Sequence, residues 1–332
     1  MQDSLVTLEK ISLGGINQWI SIRAKDVKNP ILLYLHGGPG TPVMPLFRHF
    51  QAPLEDHFIV VQWEQRGAGK SFSWRIPKES MTIEQFISDL HELIVFLCKR
   101  FNKDKIYLMG HSWGSVLGIK TVQRYPQLFH AYIGVGQASN TVETEKRMYQ
   151  FVLNKSKELG DKKAVKTLKK IGPPLEGMQP PYANFYKGGY LSKMRVYGLV
   201  AKYGGLIYNV SGYRSLVKCF LKYLPFLKPE YTLLDLIRIM QGNFFSTRNM
   251  MKELLTVNLS EQVPEVKVPV YFLMGRHDYN WSAELAKKYF DALKAPKKEF
   301  IWFEKSAHAP NGEEATKFNK IIIEKILKSI SF

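Results

Sequence analysis

The 332-residue sequence predicts an α/β fold: a mostly parallel central sheet with an antiparallel N-terminal hairpin, helices on both faces and a helical insertion. Three observations support this prediction. Short apolar runs alternate with amphipathic helical segments over residues 1–137, a rhythm typical of a parallel sheet covered on both sides. The rhythm breaks over residues 138–257 and resumes over residues 258–332. Glycine-rich turns follow several of the apolar runs directly, at the sheet edge where this class of fold binds its ligands.

The predicted elements of the N-terminal part follow from local patterning. Residues 6–12 and 18–24 alternate in the manner of strands on either side of a Gly-Gly pair, which predicts a hairpin. Thr82 and Gln85 form a predicted capping box for a helix that runs to about Phe101. The other predicted strands are near-continuous apolar runs, as expected for strands buried on both faces, at 31–35, 58–63, 106–109 and 132–135.

The remainder of the chain divides into an insertion and a return to the sheet. Residues 138–257 contain helical stretches, Gly and Pro interruptions and many aromatic residues. We interpret this segment as a helical cap over the ligand edge, which divides the chain into a core domain of residues 1–137 and 258–332 and a cap domain of residues 138–257. The last predicted strands cover 268–274 and 299–303, and the last predicted helices cover 283–292 and 313–330.

Composition and charge limit the class of protein. The chain is 45 % hydrophobic and carries a formal net charge of +18, with 20 Lys and Arg against 8 Asp and Glu between residues 138 and 255. A basic surface attracts nucleic acid, anionic membranes or acidic substrates. The lysines are dispersed and no nucleic-acid-binding motif is present, so a solvated surface is the simpler interpretation and nucleic acid is a disfavoured partner.

The sequence also gives expectations about location and thiols. No uninterrupted apolar run reaches the roughly 18 residues that a membrane span needs, and the N-terminus has no signal-peptide pattern. We therefore expect a cytoplasmic protein without a transmembrane segment, and contact with a membrane surface stays open. Cys98 and Cys219 lie in apolar contexts without C-x-x-C spacing, which favours free thiols over a disulfide or a metal site.

A candidate nucleophile follows the strand at 106–109. The segment Gly110-His111-Ser112-Trp113-Gly114 matches G-x-S-x-G, and an apolar helical stripe follows it. A strand, a sharp turn and a helix in this order leave the serine exposed at the turn. Ser112 is therefore the predicted nucleophile.

Two further loops follow strands in the same half. Residues 36–40, His-Gly-Gly-Pro-Gly, predict an oxyanion hole in which an N–H of Gly37 or Gly38 joins that of Trp113 around a substrate carbonyl oxygen. The turn at 64–71 resembles a phosphate loop superficially, but G-x-x-x-x-G-K-[ST] is not matched, so we exclude nucleotide binding there. Arg66 in this turn is expected to tie neighbouring loops together.

An acid and a base follow late strands. Asp278 comes just after one strand and His308 just after the next, which gives the order Ser, Asp, His that this arrangement requires. The base takes the hydroxyl proton, and the carboxylate holds the base in the correct tautomer. His277 and His111 are the rival bases, and we expect structural roles for both. No metal or cofactor is implied.

The motifs HGGPG, EQRGAGKS, GHSWGS, GRHD and SAHA, in this order over residues 36–309, resemble the α/β-hydrolase family of proline iminopeptidases and related serine peptidases. The resemblance implies the α/β-hydrolase fold and cleavage of an N-terminal residue amide in a small molecule or short peptide. It also implies a triad of Ser112, Asp278 and His308, with the oxyanion hole at Gly38 (or Gly37) and Trp113.

The insertion departs from this family's pattern. Members usually carry two cap carboxylates that bind the substrate's free amino terminus, one of them in a Trp-containing motif, but this insertion contains no tryptophan. The second position matches Gln241, before Phe244 and Phe245, and these three are the candidate substrate-binding residues. Four glutamates of the insertion remain open as the missing carboxylate, namely Glu143, Glu145, Glu176 and Glu230.

Two alternatives to an aminopeptidase therefore remain. A buried substrate ammonium needs a paired carboxylate, and the expected cap carboxylates are missing from this insertion. The same catalytic residues would then serve a carboxylesterase or lipase-type hydrolase of an apolar or acidic acyl substrate. The alternative from another class is a binding protein whose basic cap docks on a polyanion or a membrane surface. An epoxide hydrolase is disfavoured, since those enzymes use an aspartate nucleophile where this chain has Ser112.

Overall fold

The computed structural model describes residues 3–174, 186–187 and 189–329 of the chain. Its strands are β1 Leu5–Leu13, β2 Ile16–Ala24, β3 Ile31–Leu35, β4 Ile59–Glu64, β5 Ile106–His111, β6 Phe129–Val135, β7 Val270–Gly275 and β8 Lys298–Phe303. They form one sheet in the order β1-β2-β4-β3-β5-β6-β7-β8. The β1–β2 and β2–β4 pairs are antiparallel, and all the others are parallel. The structure thus confirms the mostly parallel sheet and the N-terminal hairpin.

Helices cover both faces of this sheet. The helices are α1 Met44–Gln51, α2 Ile83–Phe101, α3 Trp113–Arg124, α4 Thr141–Glu158, α5 Lys162–Ile171, α6 Gly189–Lys202, α7 Tyr213–Tyr223, α8 Leu233–Leu254, α9 Leu259–Gln262, α10 Ala283–Ala292, α11 Pro310–Glu313 and α12 Ala315–Lys320. Alternate residues of β3 enter opposite cores: Leu33 packs with α2, α3 and α10, whereas Leu32 and Tyr34 pack with α1 and α12. This two-sided burial explains why β3 is apolar at every position.

The structure modifies two predicted helices. Thr82 caps α2 by accepting a hydrogen bond from the Gln85 backbone N–H, as predicted, but the Gln85 side chain donates to Asp89 instead of closing the capping box. The single helix predicted from residue 313 is divided in two, because Glu314 at φ −124° and ψ 50° interrupts it. Its last described part, Ile321–Leu327, has wider, π-type turns, and the predicted end at residue 330 lies outside the described residues.

Helices α4–α8 form an insertion between β6 and β7. The two chain ends of this insertion meet in an antiparallel bridge between Asn140 and Asn258. Beside the bridge, the Thr141 N–H donates to the Val257 carbonyl at 3.0 Å. The division into core and cap domains at residues 138 and 257 stays a prediction. The bridge between Asn140 and Asn258 lies close to these bounds. None of the described helices combines the length and the hydropathy that a membrane-spanning segment requires.

Candidate active site

Ser112 lies at a sharp turn between β5 and α3. Its backbone has φ 57° and ψ −121°, a conformation that non-glycine residues rarely adopt. The flanking glycines are needed for close packing rather than for their own dihedral angles. A Cβ on Gly110 would lie 2.3 Å from the Gly114 carbonyl oxygen, and one on Gly114 would lie 2.3 Å from that of Leu35. The G-x-S-x-G pattern therefore lets α3 approach the sheet while Ser112 takes the strained conformation.

Asp278 and His308 meet at the ends of β7 and β8. His308 Nδ1 lies 2.9 Å from Asp278 Oδ2, and both side chains are buried. The other carboxylate oxygen accepts the backbone N–H groups of Asn280 at 2.9 Å and Trp281 at 3.0 Å. Burial alone would raise the pKa of Asp278, but its electrostatic and hydrogen-bond interactions with His308 and the two backbone N–H groups together hold it below its usual value. Asp278 is therefore held as an anion that orients the His308 ring.

The side chains after Asp278 contact the other two residues of the expected triad. Asn280 Nδ2 lies 3.1 Å from His308 Nε2, and Trp281 Nε1 donates to Ser112 Oγ at 3.0 Å. Since Asp278 holds the proton of His308 on Nδ1, the Nε2 lone pair accepts from Asn280. Both contacts were missed by the sequence reasoning, because the only signal is that Asn280 and Trp281 follow the acid closely.

Backbone contacts fix the loop that carries His308. Glu313 Oε1 accepts the N–H groups of Ala307 at 3.0 Å and Ala309 at 3.1 Å, so its carboxylate spans the histidine. His111 Nε2 lies 2.9 Å from the His308 carbonyl oxygen. Burial, followed by the nearby charge of His308, lowers the pKa of His111 to about 3. Neutral His111 therefore donates to this carbonyl, which agrees with the structural role expected for it.

The other rivals of the acid and the base lie elsewhere. His277 stacks on Tyr208 of the insertion with ring centroids 4.5 Å apart. Asp291 is the next aspartate after Asp278 in the sequence, but it lies on α10 and forms an exposed ion pair with Lys287.

The glycine-rich loop after β3 contacts the serine turn. A Cβ on Gly37 would lie 2.9 Å from the Ser112 Cβ, which shows how closely the two loops approach. Gly38, at φ 114°, has a conformation that favours glycine. Trp113 is the first residue of α3, where backbone N–H groups have no acceptor within the helix. The predicted oxyanion-hole residues are thus next to Ser112.

Gln65 holds this loop and Trp113 together, a role that the sequence reasoning did not assign. Its side-chain amide donates to the His36 carbonyl at 3.0 Å and accepts from Trp113 Nε1 at 2.9 Å. Its backbone N–H donates to His36 Nε2 at 3.2 Å. Burial lowers the pKa of His36 to about 4, so this ring is neutral and serves as an acceptor. Arg66, the next residue, binds Asp89 of α2 through two hydrogen bonds. It also donates to the Gly14 carbonyl at 2.8 Å and to Ser80 Oγ at 3.2 Å, so it ties neighbouring loops together, as expected.

Ser112 and His308 line one cavity of about 440 Å³ between the sheet edge and the insertion. Helix α8 contributes Asn243, Thr247 and Met251, which recur every four residues on one face. The lining residues in the described part of the chain are Gly37, Gly38, Thr41, Val43, His111, Ser112, Trp113, Thr141, Lys193, Met194, Tyr197, Leu206, Ile207, Asn243, Thr247, Met251, Leu254, Asn280, Trp281, His308 and Ala309.

The three candidate substrate-binding residues are not among the described residues that line this cavity, and their role in substrate binding stays a prediction. Gln241 and Phe244 are exposed, because the helical period turns them away from the face that carries Asn243 and Thr247. Phe245 is buried and packs its ring 5.7 Å from that of Phe72.

The four candidate carboxylates of the insertion have different surroundings. Glu143 is partly buried and pairs with Lys146, and Glu230 pairs with Arg48 of α1 at 2.6 Å. Glu176 lies outside the described residues. Glu145 is buried and pairs at 2.6 Å with Lys193, which lines the cavity. Of the three glutamates that the structure describes, only Glu145 is connected to the cavity, and a cation stands between them.

No group of three or more metal-binding side chains is found among the described residues. Cys98 and Cys219 are half-buried free thiols.

The sheet order and the serine turn define the class of α/β hydrolases. A family model described as "alpha/beta hydrolase fold" matches residues 30–172. The probable aminopeptidase YbaC of Bacillus subtilis is 35% identical over 95% of this chain and 94% of that protein. The proline iminopeptidase of Saccharolobus solfataricus is 27% identical over 93% of this chain and 89% of its own length. The chain belongs to the proline iminopeptidase-like family of α/β hydrolases, and it is a hydrolase.

Solved structures agree with this fold. The proline iminopeptidase of Mycobacterium smegmatis superimposes with a TM-score of 0.63 at 16% identity and covers 97% of this chain and 98% of its own. The crystal structure of VinJ superimposes with a TM-score of 0.67 at 19% identity and covers 98% of this chain and 99% of its own.

Proposed function

We propose that the protein is a serine hydrolase that forms an acyl-enzyme on Ser112 and cleaves the amide bond after an N-terminal residue. The observation that carries the proposal is the meeting of three chain segments. Ser112 at its strained turn shares a cavity with His308, whose ring is oriented by Asp278 at 2.9 Å.

The proposed steps follow from this geometry. A substrate carbonyl enters beside Gly38 and Trp113, whose N–H groups stabilise the developing oxyanion. His308 Nε2 accepts the hydroxyl proton of Ser112 as Oγ attacks the carbonyl carbon, and it then returns the proton to the leaving amine. Water, activated by the same nitrogen, releases the acid and restores the serine. Asn280 must release Nε2 before the first proton transfer, because it occupies that lone pair at 3.1 Å.

The names of the relatives support the choice of an amide substrate. A probable aminopeptidase and a proline iminopeptidase are both similar to this chain over nearly its whole length. Ester cleavage by the same machinery is the second candidate. One observation favours it: the described cavity lining contains Lys193 and no carboxylate, which is a poor environment for the ammonium of an N-terminal residue.

Parallel assays with two substrate types test the proposal. Prolyl and alanyl p-nitroanilides are offered beside p-nitrophenyl acetate and butyrate, and wild type is compared with Ser112→Ala. We expect Ser112→Ala to lower kcat/KM by at least about 1,000-fold, as loss of a nucleophile does in related chemistry. Cleavage of the anilides supports an aminopeptidase, whereas turnover of the esters alone supports the second candidate.

A control and a direct label complete the experiment. Ser73→Ala changes an exposed serine and is expected to retain full activity. A fluorophosphonate probe should modify Ser112 in wild type, as located by peptide mass spectrometry. If Ser112→Ala retains wild-type turnover, or if the probe modifies another residue, the proposed nucleophile is wrong.

A further inference from the structure

Lys193 brings a positive charge to the cavity of Ser112. It lies on α6, and its side chain is only 10% exposed. Among the described lining residues, Lys193 is the only Lys or Arg, and none is Asp or Glu. The other titratable lining groups are His111, which is neutral, Tyr197, and His308 next to Ser112. Among the described lining residues, the formal charge therefore comes from this ammonium.

A buried network behind the cavity holds Lys193 in place. Its Nζ lies 2.6 Å from Glu145 Oε1 and 3.6 Å from the Met251 thioether. Glu145 is 1% exposed and also accepts the Tyr186 hydroxyl at 3.1 Å and the Tyr197 hydroxyl at 3.5 Å. Burial, followed by the charge of Glu145, raises the pKa values of both tyrosines, so each keeps its proton and donates. The carboxylate thus faces three donors, and the ion pair is fixed from its inner side.

The ammonium has one N–H donor beyond these two contacts, and it lies 5.4 Å from the ring centroid of Tyr197, which also lines the cavity. A lysine ammonium has three N–H donors, of which Glu145 takes one and the weak acceptor Met251 a second. A ligand carboxylate here would gain a charge-assisted hydrogen bond from a largely buried ammonium. A ligand ammonium would meet a like charge, with Glu145 already paired behind it. The site therefore discriminates in favour of an anion.

We propose that Lys193, held by Glu145, forms an anion subsite in the Ser112 cavity that binds a carboxylate of the substrate. The inference rests on the proposed serine hydrolase and adds its substrate class. A substrate can supply this carboxylate from its acyl group, as in a half-ester of a dicarboxylic acid, or from its leaving group, as in a dipeptide with a free C-terminus. The chemistry is shared by both sources, and the experiment separates them.

Two matched substrate pairs make the test. Mono-p-nitrophenyl glutarate is compared with p-nitrophenyl butyrate for the acyl side, and alanylglycine is compared with alanylglycinamide for the leaving side. We expect wild type to prefer the acid in one pair by at least about tenfold in kcat/KM, the size of a hydrogen bond to a charged group. Lys193→Met should abolish that preference through KM, and Lys193→Arg should keep part of it.

Two further variants separate recognition from folding. Lys193→Met leaves Glu145 buried without its cation. The double variant Lys193→Met/Glu145→Gln therefore removes both charges together, and its melting temperature is compared with that of wild type. Lys155→Met removes a lysine of an exposed ion pair with Glu158 on α4, and its acid-to-neutral ratio should equal that of wild type. If wild type shows no preference in either pair, or if the double variant retains the preference, the subsite is refuted.

A binding experiment separates a failure of this inference from a failure of the proposed function. Glutarate is titrated by calorimetry into Ser112→Ala and into Ser112→Ala/Lys193→Met. Binding that weakens at least about tenfold in the second variant supports the subsite even if no substrate is turned over. Equal affinities overturn the subsite and leave the role of Ser112 to its own test.

Discussion

Replacing Glu64 with glutamine is expected to stabilise the protein above neutral pH. Glu64 ends β4, is fully buried, and accepts the backbone N–H of Lys70. Burial raises its pKa from 4.5 to about 7, despite the opposing effects of hydrogen bonds and of the Lys70 charge. The native protein therefore holds a proton on this group that the unfolded chain releases at lower pH.

The sign and size of the effect follow from this difference. Between pH 4.5 and about 7, the native state binds more protons than the unfolded state, so this contribution to stability is complete below pH 4.5 and is lost as the pH rises. Each pKa unit corresponds to about 1.4 kcal/mol, so the loss amounts to about 3 kcal/mol. Glutamine has nearly the same shape, accepts the same N–H and does not ionise. At an unfolding entropy of about 2 cal/mol/K per residue, the expected gain in melting temperature at pH 8 is about 5 °C.

Thermal melts of wild type and Glu64→Gln at several pH values between 4.5 and 8.5 provide the measurement. The two melting temperatures should converge at the acid end and separate as the pH rises. Glu158→Gln, at an exposed position, controls for the loss of one negative charge from a basic chain. A difference between wild type and Glu64→Gln that is constant over the whole range would refute the reasoning, because Glu64 would then not titrate there.

Three further substitutions test the site and its support. Trp281→Phe removes the indole N–H from Ser112 Oγ, so deacylation, in which this oxygen leaves with negative charge, should slow and kcat should fall about tenfold with little change in KM. Gly37→Ala places a Cβ 2.9 Å from the Ser112 Cβ, and the displaced serine should lower kcat/KM by about 100-fold while circular dichroism stays native. Asp89→Ala leaves the buried Arg66 guanidinium without its carboxylate, so urea denaturation should show a loss of about 3 to 5 kcal/mol. Unchanged steady-state constants for either of the first two, or an unchanged urea midpoint for the third, would contradict the corresponding contact.

Local signals explain why the strands and the Ser112 turn could be predicted. A parallel strand is an apolar run, and the turn is encoded within five consecutive residues, Gly110 to Gly114. The parallel sheet then brings strand ends together, which is why His308 was expected to meet Asp278 at the same edge.

Contacts within the insertion could not be predicted in the same way. Lys193 and Glu145 lie on different helices and belong to no motif, so only the packing of α4 against α6 brings them together. Gln241 and Phe244 were selected by alignment to a motif, which does not determine which face of a helix meets the cavity. The interruption of the helix at Glu314 likewise has no local signal in the sequence. The neighbouring Glu313 accepts a backbone N–H next to His308, and this contact is made between segments rather than within the helix.

The bridge between Asn140 and Asn258 has an evolutionary consequence. Because the chain leaves β6 and returns to β7 at a single hydrogen-bonded junction, the length and shape of the intervening helices do not alter the span that the sheet must close. Mutations or insertions between these two asparagines can therefore change the wall of the cavity without changing the junction, provided that the Leu206 carbonyl, which accepts the His308 backbone N–H at 3.2 Å, keeps its place. Related chains that share this sheet and this junction can therefore differ in their insertions and act on different substrates.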